Sequence, residues 1–165
     1  MPVTIDQLVR DQAESPHLFV WAGRTSAVKA VAALVAETGV PAPTDLLQLW
    51  ATTGGGELFE SEELLPPLAG EDGFIERTLA LRQRGLPGGL VAFHQGAWVS
   101  AFRGADPPIV ALRPRTFTVI ATFDNLADWY GHLRREYAER YGLAPTVVAP
   151  EDPISTPGQA REELR

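Results

Sequence analysis

Carboxylates and imidazoles are the side chains of this sequence with the means to move protons, and their spacing decides whether they could act together. Glu57, Glu60, Glu62 and Glu63 crowd into one short stretch, with Asp72 a little further on. Two carboxylates facing each other across a cleft are what glycoside hydrolysis requires. Acids this dense on one connecting segment more commonly form a solvated face, so the chemistry they best support is docking of a cationic partner. His17, His94 and His132 are far apart, and no pair has the i, i+4 spacing of a helical metal site. His94, beside the turn residues Gln95-Gly96, reads as an exposed hairpin residue. Ser100 lacks the Gly-x-Ser-x-Gly setting of a hydrolase nucleophile. The triplet Gly54-Gly55-Gly56 invites a phosphate-cradle reading. It follows a helical pattern, however, and the C-terminal end of a helix carries the wrong partial charge for an anion. A left-handed helix stop is the better reading. No catalytic residue, cofactor or metal is expected. Of Trp21, Trp50, Trp98 and Trp129, most fit core positions, and Trp98, on a hairpin strand, is the candidate for an exposed anchor.

The elements that would carry these residues follow from periodicity. A helix is expected from about Ile5 to Glu14, with Ile5, Leu8 and Val9 on its apolar side, stopped by Pro16. Leu18 to Trp21 reads as a short strand. Ser26 offers an N-cap to a helix with Val28, Val31, Ala32 and Val35 on one face, ending at Gly39. Pro43 suits the first turn of a helix through Asp45, Leu46, Leu47, Leu49 and Trp50. Leu58-Phe59 begins a sheet, Glu60 to Gly73 is an acidic loop, and a short helix is expected around Phe74 to Arg84. Four β-rich runs follow, from Leu90, Ala97, Ile109 and Phe117, separated by turns short enough for hairpins. Thr122 is placed to cap a last helix. There Leu126, Trp129, Tyr130, Leu133 and Tyr137 share one face, with Arg134 outside it. The result is an α+β fold: a mainly antiparallel sheet of four to six strands, with N-terminal helices and a C-terminal helix packed against it. Residues 1–143 form the domain and 144–165 a proline-marked flexible tail.

At 165 residues, 45% hydrophobic and 21% charged, the chain fits one ordinary globular domain. Without cysteine it has neither a disulfide framework nor a thiolate metal site, and it shows no leader-like start or membrane-length apolar run, so a cytoplasmic location is expected. A net charge of −7 argues against direct nucleic-acid binding. The charge is also segregated. Ala30 to Glu76 holds nine acids and no Lys, Arg or His, whereas Arg77 to Arg115 holds six Arg against Asp106 alone. Such segregation either presents an acidic face to a basic partner or is consumed by pairing within the molecule.

In order, Glu37-Thr38-Gly39, Pro41, the helix Pro43 to Trp50, the turn at Gly54 and Gly55, the strands, and Thr122-Phe123-Asp124-Asn125-Leu126 resemble the SUKH superfamily of Smi/Knr-like domains. The pattern spans about residues 18–142, with the glycine turn tripled and lacking the preceding Asn found in many members. The resemblance implies an α+β fold without catalytic machinery and, in many bacterial members, an immunity protein that neutralises a toxin by binding it. On that reading Pro43, Trp50, Gly54, Gly55, Thr122 and Phe123 are structural motif positions. Glu57, Glu60, Glu62, Glu63, Asp72 and Trp98 would meet a cognate toxin, possibly a basic, nuclease-like protein. An adaptor domain without a toxin partner is the alternative, and a small hydrolase using the acidic cluster a remote one.

Overall fold

The computed structural model describes residues 6–23 and 26–145. Seven strands form one antiparallel sheet in sequential order: β1 (Phe19–Trp21), β2 (Gly56–Leu58), β3 (Glu62–Leu64), β4 (Val91–Gln95), β5 (Val99–Phe102), β6 (Ile109–Leu112) and β7 (Val119–Phe123). Five α-helices accompany it: α1 (Asp6–Glu14), α2 (Val28–Ala36), α3 (Thr44–Thr53), α4 (Phe74–Gln83) and α5 (Leu126–Tyr141). The α+β class and the terminal helices are as expected, while the sheet is larger. The difference lies in the segment from Glu60 to Gly73, which is not wholly a loop. Glu62 to Leu64 pairs with both β2 and β4, and hydropathy conceals this strand because its core-facing first position is held by Glu62 and not by an apolar side chain.

Two sheet faces follow from the alternation of side chains along each strand. One carries Glu62, His94 and Ser100, the other Glu63, Gln95 and Val99. The first lies beneath α5, whose Trp129 and Tyr137 bond to it directly. The second is covered at β3 and β4 by α4, whose Arg77 pairs with Glu63 and bonds Gln95. Thr78 Oγ1 accepts the Ala92 N–H at 3.0 Å, locking α4 to β4. The expected inner residues of α5, Leu126, Trp129, Tyr130, Leu133 and Tyr137, are all buried.

Local chemistry explains most boundaries and corrects several. Pro43 is the residue before α3, with its carbonyl accepting the Leu47 N–H. Trp50 is fully buried, and its indole N–H donates to the Leu65 carbonyl at 2.8 Å. Gly54 ends the helix in the left-handed region. A Cβ on Gly55 would lie 2.8 Å from the Pro66 Cα, so the triplet is a turn that must pass close to neighbouring backbone. Ser26 does not cap α2. Ala27 holds that position, while the Ser26 N–H donates to the Ala51 carbonyl. Thr122 does not cap α5 either, because β7 continues through it. Asn125 is the cap, its Oδ1 accepting the Asp128 N–H at 2.8 Å. Phe123, buried at the end of β7, packs on His132. Leu8 is buried in α1, but Val9 faces solvent and Asp11 takes the inner place. Ile5 and residues 146–165 of the expected tail lie outside the described residues. Ala144, placed in that tail, is tied to the domain through its carbonyl, which accepts from Arg134.

Candidate functional site

The most chemically loaded cluster is one the sequence disperses. β3, β4 and β5 bring Glu62, His94 and Ser100 side by side, all essentially inaccessible. Ser100 Oγ lies 2.8 Å from His94 Nδ1, and His94 Nε2 lies 2.7 Å from Glu62 Oε1. These are the residue types of a serine-hydrolase relay, but they are connected in the opposite sense: in such relays the serine meets Nε2 and the carboxylate Nδ1. Ser100 is also saturated. Its oxygen accepts the indole N–H of Trp98 at 2.9 Å and of Trp129 at 2.8 Å, leaving its single O–H to donate to His94. That fixes a neutral imidazole whose Nε2–H donates to Glu62. Burial pushes the His94 pKa below its ordinary value, against the pull of Glu62.

Burial by itself would raise the Glu62 pKa, but hydrogen bonds from His94 and Tyr137, and the Ala97 N–H at 3.1 Å, hold it below the usual value. Burial and the Glu62 carboxylate in turn raise the Tyr137 phenol to about 12, keeping it a donor. Every polar group here has a partner, and the serine oxygen has no lone pair left for proton abstraction or attack. The arrangement orders strands and α5. His94 is therefore not an exposed hairpin residue, and Glu62 and Trp98, 1% and 4% exposed, lie in the core and not on the surface expected for them. The inward face of β3 and the two-residue reach from Trp98 to Ser100 draw them into the core.

The remaining acids are at the surface. Glu57 on β2 and Glu63 on β3 are direct cross-strand neighbours, and Glu60 sits in the turn joining them. Phe59 and Glu60 both adopt left-handed backbone, at φ of 53° and 69°. Such a conformation is uncommon outside glycine. The turn is held by Phe59, buried and stacked on Tyr137 at 5.0 Å, and by the Tyr141 hydroxyl donating to Glu60 at 2.8 Å. Ser61 and Tyr137 share a further hydrogen bond at 2.9 Å. Glu63 is half-buried and paired with Arg77, whereas Glu57 and Glu60 are exposed. Asp72 is exposed on the connector before α4. The structure thus gathers Glu57, Glu60 and Glu63 on one hairpin and removes Glu62 and Trp98 from the expected surface.

A second buried node was hidden in helical residues. Asp11 of α1 accepts from Arg134 Nε at 2.7 Å and Nη2 at 3.0 Å, and from the Tyr130 hydroxyl at 2.6 Å. Gln7 adds a bond to Asp11 at 3.0 Å. The ion pair with Asp11 raises the Arg134 pKa, while burial and the same carboxylate raise that of Tyr130. Arg134 is thus an inner residue of α5, contrary to expectation. Its i+4 spacing from Tyr130 and Asp11's i+3 spacing from Leu8 were the available signals. Among the described residues no group of three His, Asp or Glu side chains is disposed to hold a metal ion. No family model matches the chain, and no curated protein matches it.

Proposed function

We propose that this chain is a non-enzymatic binding domain that neutralises a basic protein, in the manner of bacterial immunity proteins, by covering it with the β2–β3 hairpin. The observation that carries the reading is the hairpin itself. Glu57 and Glu63 face each other across it, Glu60 stands at its tip, and Tyr137 and Tyr141 brace it from α5. A pre-ordered acidic projection steers a cationic surface into register at little entropic cost. A nuclease, whose substrate groove is built for phosphates, presents such a surface. The SUKH-like order of elements supports the same reading, as does the sealed Ser100–His94–Glu62 chain, which offers no reacting group to a substrate.

The test is rescue from toxicity. Co-expression should restore growth of cells producing the toxin domain encoded beside this gene, and Glu57→Lys with Glu60→Lys should remove that protection. In a binding assay the double variant should associate about tenfold more slowly, with a flattened salt dependence. Ser100→Ala that remains folded by circular dichroism should still protect. Protection that survives charge reversal but is lost in folded Ser100→Ala would replace the binding reading with a catalytic one.

A further inference from the structure

At the far end of the sheet from the acidic hairpin, β7 is an edge strand: β6 pairs with one side, and no described strand pairs with the other. Exposed edges are ordinarily blunted with charge or proline, since their free N–H and C=O groups recruit further strands. The run Val119-Ile120-Ala121-Thr122-Phe123 contains neither, and Val119 and Ile120 are 55% and 43% exposed. Inward of this edge, bordered by Val119 of β7, lies a groove of about 310 Å³ whose lining includes Pro87, Leu90, Arg103, Leu112 and Phe117. Phe117, which forms part of its wall, holds a left-handed backbone at φ 56°, a conformation a bulky side chain adopts only when the surroundings impose it. The Phe117 N–H donates to the Arg113 carbonyl and the Arg113 N–H to the Thr118 carbonyl, so the β6–β7 turn is tightly built.

The two ends of this edge differ in charge: arginines gather at the Val119 end, and exposed Asp124 follows the Phe123 end. Arg103 lines the groove, and Arg113 and Arg115 stand exposed in the adjoining turn. Among the described residues none of the three makes an ion pair, whereas Arg77 is paired with Glu63. No carboxylate belongs to the groove lining.

We infer that β7 and this groove accept an extended acidic segment of a partner protein as an eighth strand. The peptide's backbone pairs with the open edge of β7. Alternate apolar side chains lean over Phe117 and Val119 into the groove, and its carboxylates meet Arg113 and Arg115 in the adjoining turn. This surface is independent of the acidic hairpin and selects the opposite charge, so either reading can fail alone.

The probe is a labelled synthetic peptide of about eight residues alternating valine with glutamate, long enough to span one edge strand, beside a lysine counterpart of the same pattern. The acidic peptide should bind, slow amide exchange in β7, and lose affinity when its alternate amides are N-methylated. Arg113→Glu combined with Arg115→Glu should weaken it about tenfold. Both sites are exposed, so the core is untouched. Glu57→Lys with Glu60→Lys should leave peptide binding unchanged. Absence of binding at up to about 1 mM, where affinity is worth only about 4 kcal/mol, would overturn the proposal. So would equal binding of the lysine peptide, unchanged affinity in the arginine variant, or sedimentation showing that β7 is already occupied by a second copy of this chain.

Discussion

Ser100 is the residue on which two indoles and an imidazole depend. Replacing it with alanine strands the Trp98 and Trp129 N–H donors and leaves His94 Nδ1 without its hydroxyl. Orphaned buried polar groups cost about 1–3 kcal/mol each. Urea denaturation of Ser100→Ala should therefore show a loss of at least about 2 kcal/mol, far above that of a surface Ser→Ala change. The same cluster sets a pH dependence. The native His94 pKa lies below its ordinary 6.5, so below that pH the unfolded chain takes up a proton the native state resists, and stability falls with acid. Glu62, with a native pKa below 4.5, adds a second loss as pH drops past that value, because its stabilising negative charge is then neutralised. Urea midpoints measured from pH 8 downward should decline in this order, and His94→Gln should flatten the part that begins below pH 6.5. The sequence supplied all these residues but not their meeting. Glu62 and His94 are thirty-two positions apart, and a glutamate on a short strand has no hydropathic signature of burial.

At the scale of elements, turns and helix seams carry the specificity. Gly96 closes the β4–β5 hairpin directly over the buried carboxylate, and a Cβ there would lie 1.9 Å from Glu62 Oε1. Gly96→Ala must therefore displace Glu62 or open the hairpin, and it should unfold at clearly lower temperature, while Gly104→Ala, with no atom within 4 Å of its Cβ, should not. The Asp11–Arg134 pair joins α1 to α5 in the same all-or-none way. Removing one partner from a buried pair costs about 3–5 kcal/mol, whereas replacing both with apolar groups recovers much of that. Asp11→Ala should be strongly destabilised by denaturant titration, and adding Arg134→Met should restore part of the loss. Elements with strong periodicity were legible: α3 from its proline-led apolar face, α5 from Leu126 to Tyr137, and the first three strands after Gly85, whereas the fourth, expected over Phe117 to Ile120, runs from Val119 to Phe123. Caps were harder. Thr122 and Ser26 have the right side chains, but β7 extends through Thr122 and the Ser26 backbone is engaged with Ala51, so Asn125 and Ala27 hold the helix starts.

For the whole molecule, sequential strand order turns the charge segregation of the chain into spatial segregation. The acid-rich segment becomes the β2–β3 side of the sheet, and Arg103, Arg113 and Arg115 stand toward β7. Pairing between the two blocks is confined to Glu63 with Arg77 among the described ion pairs, so the acidity is only partly consumed within the fold. That pair, about one-third exposed on each side, contributes little to stability. Raising salt from about 50 to 500 mM should accordingly shift the unfolding free energy by no more than about 1 kcal/mol, while it should slow the association proposed for the hairpin. No helix among the described residues is long and apolar enough to cross a membrane.

The crowding of Trp98 and Trp129 around His94, with ring centres 5.6 and 5.4 Å away, gives the protein an optical readout of its own interior. A protonated imidazole quenches indole emission, and buried indoles emit at shorter wavelengths than hydrated ones. Acidification should therefore dim the fluorescence if His94 gains its proton in place, and shift it to the red if the protein must first open to let that proton in.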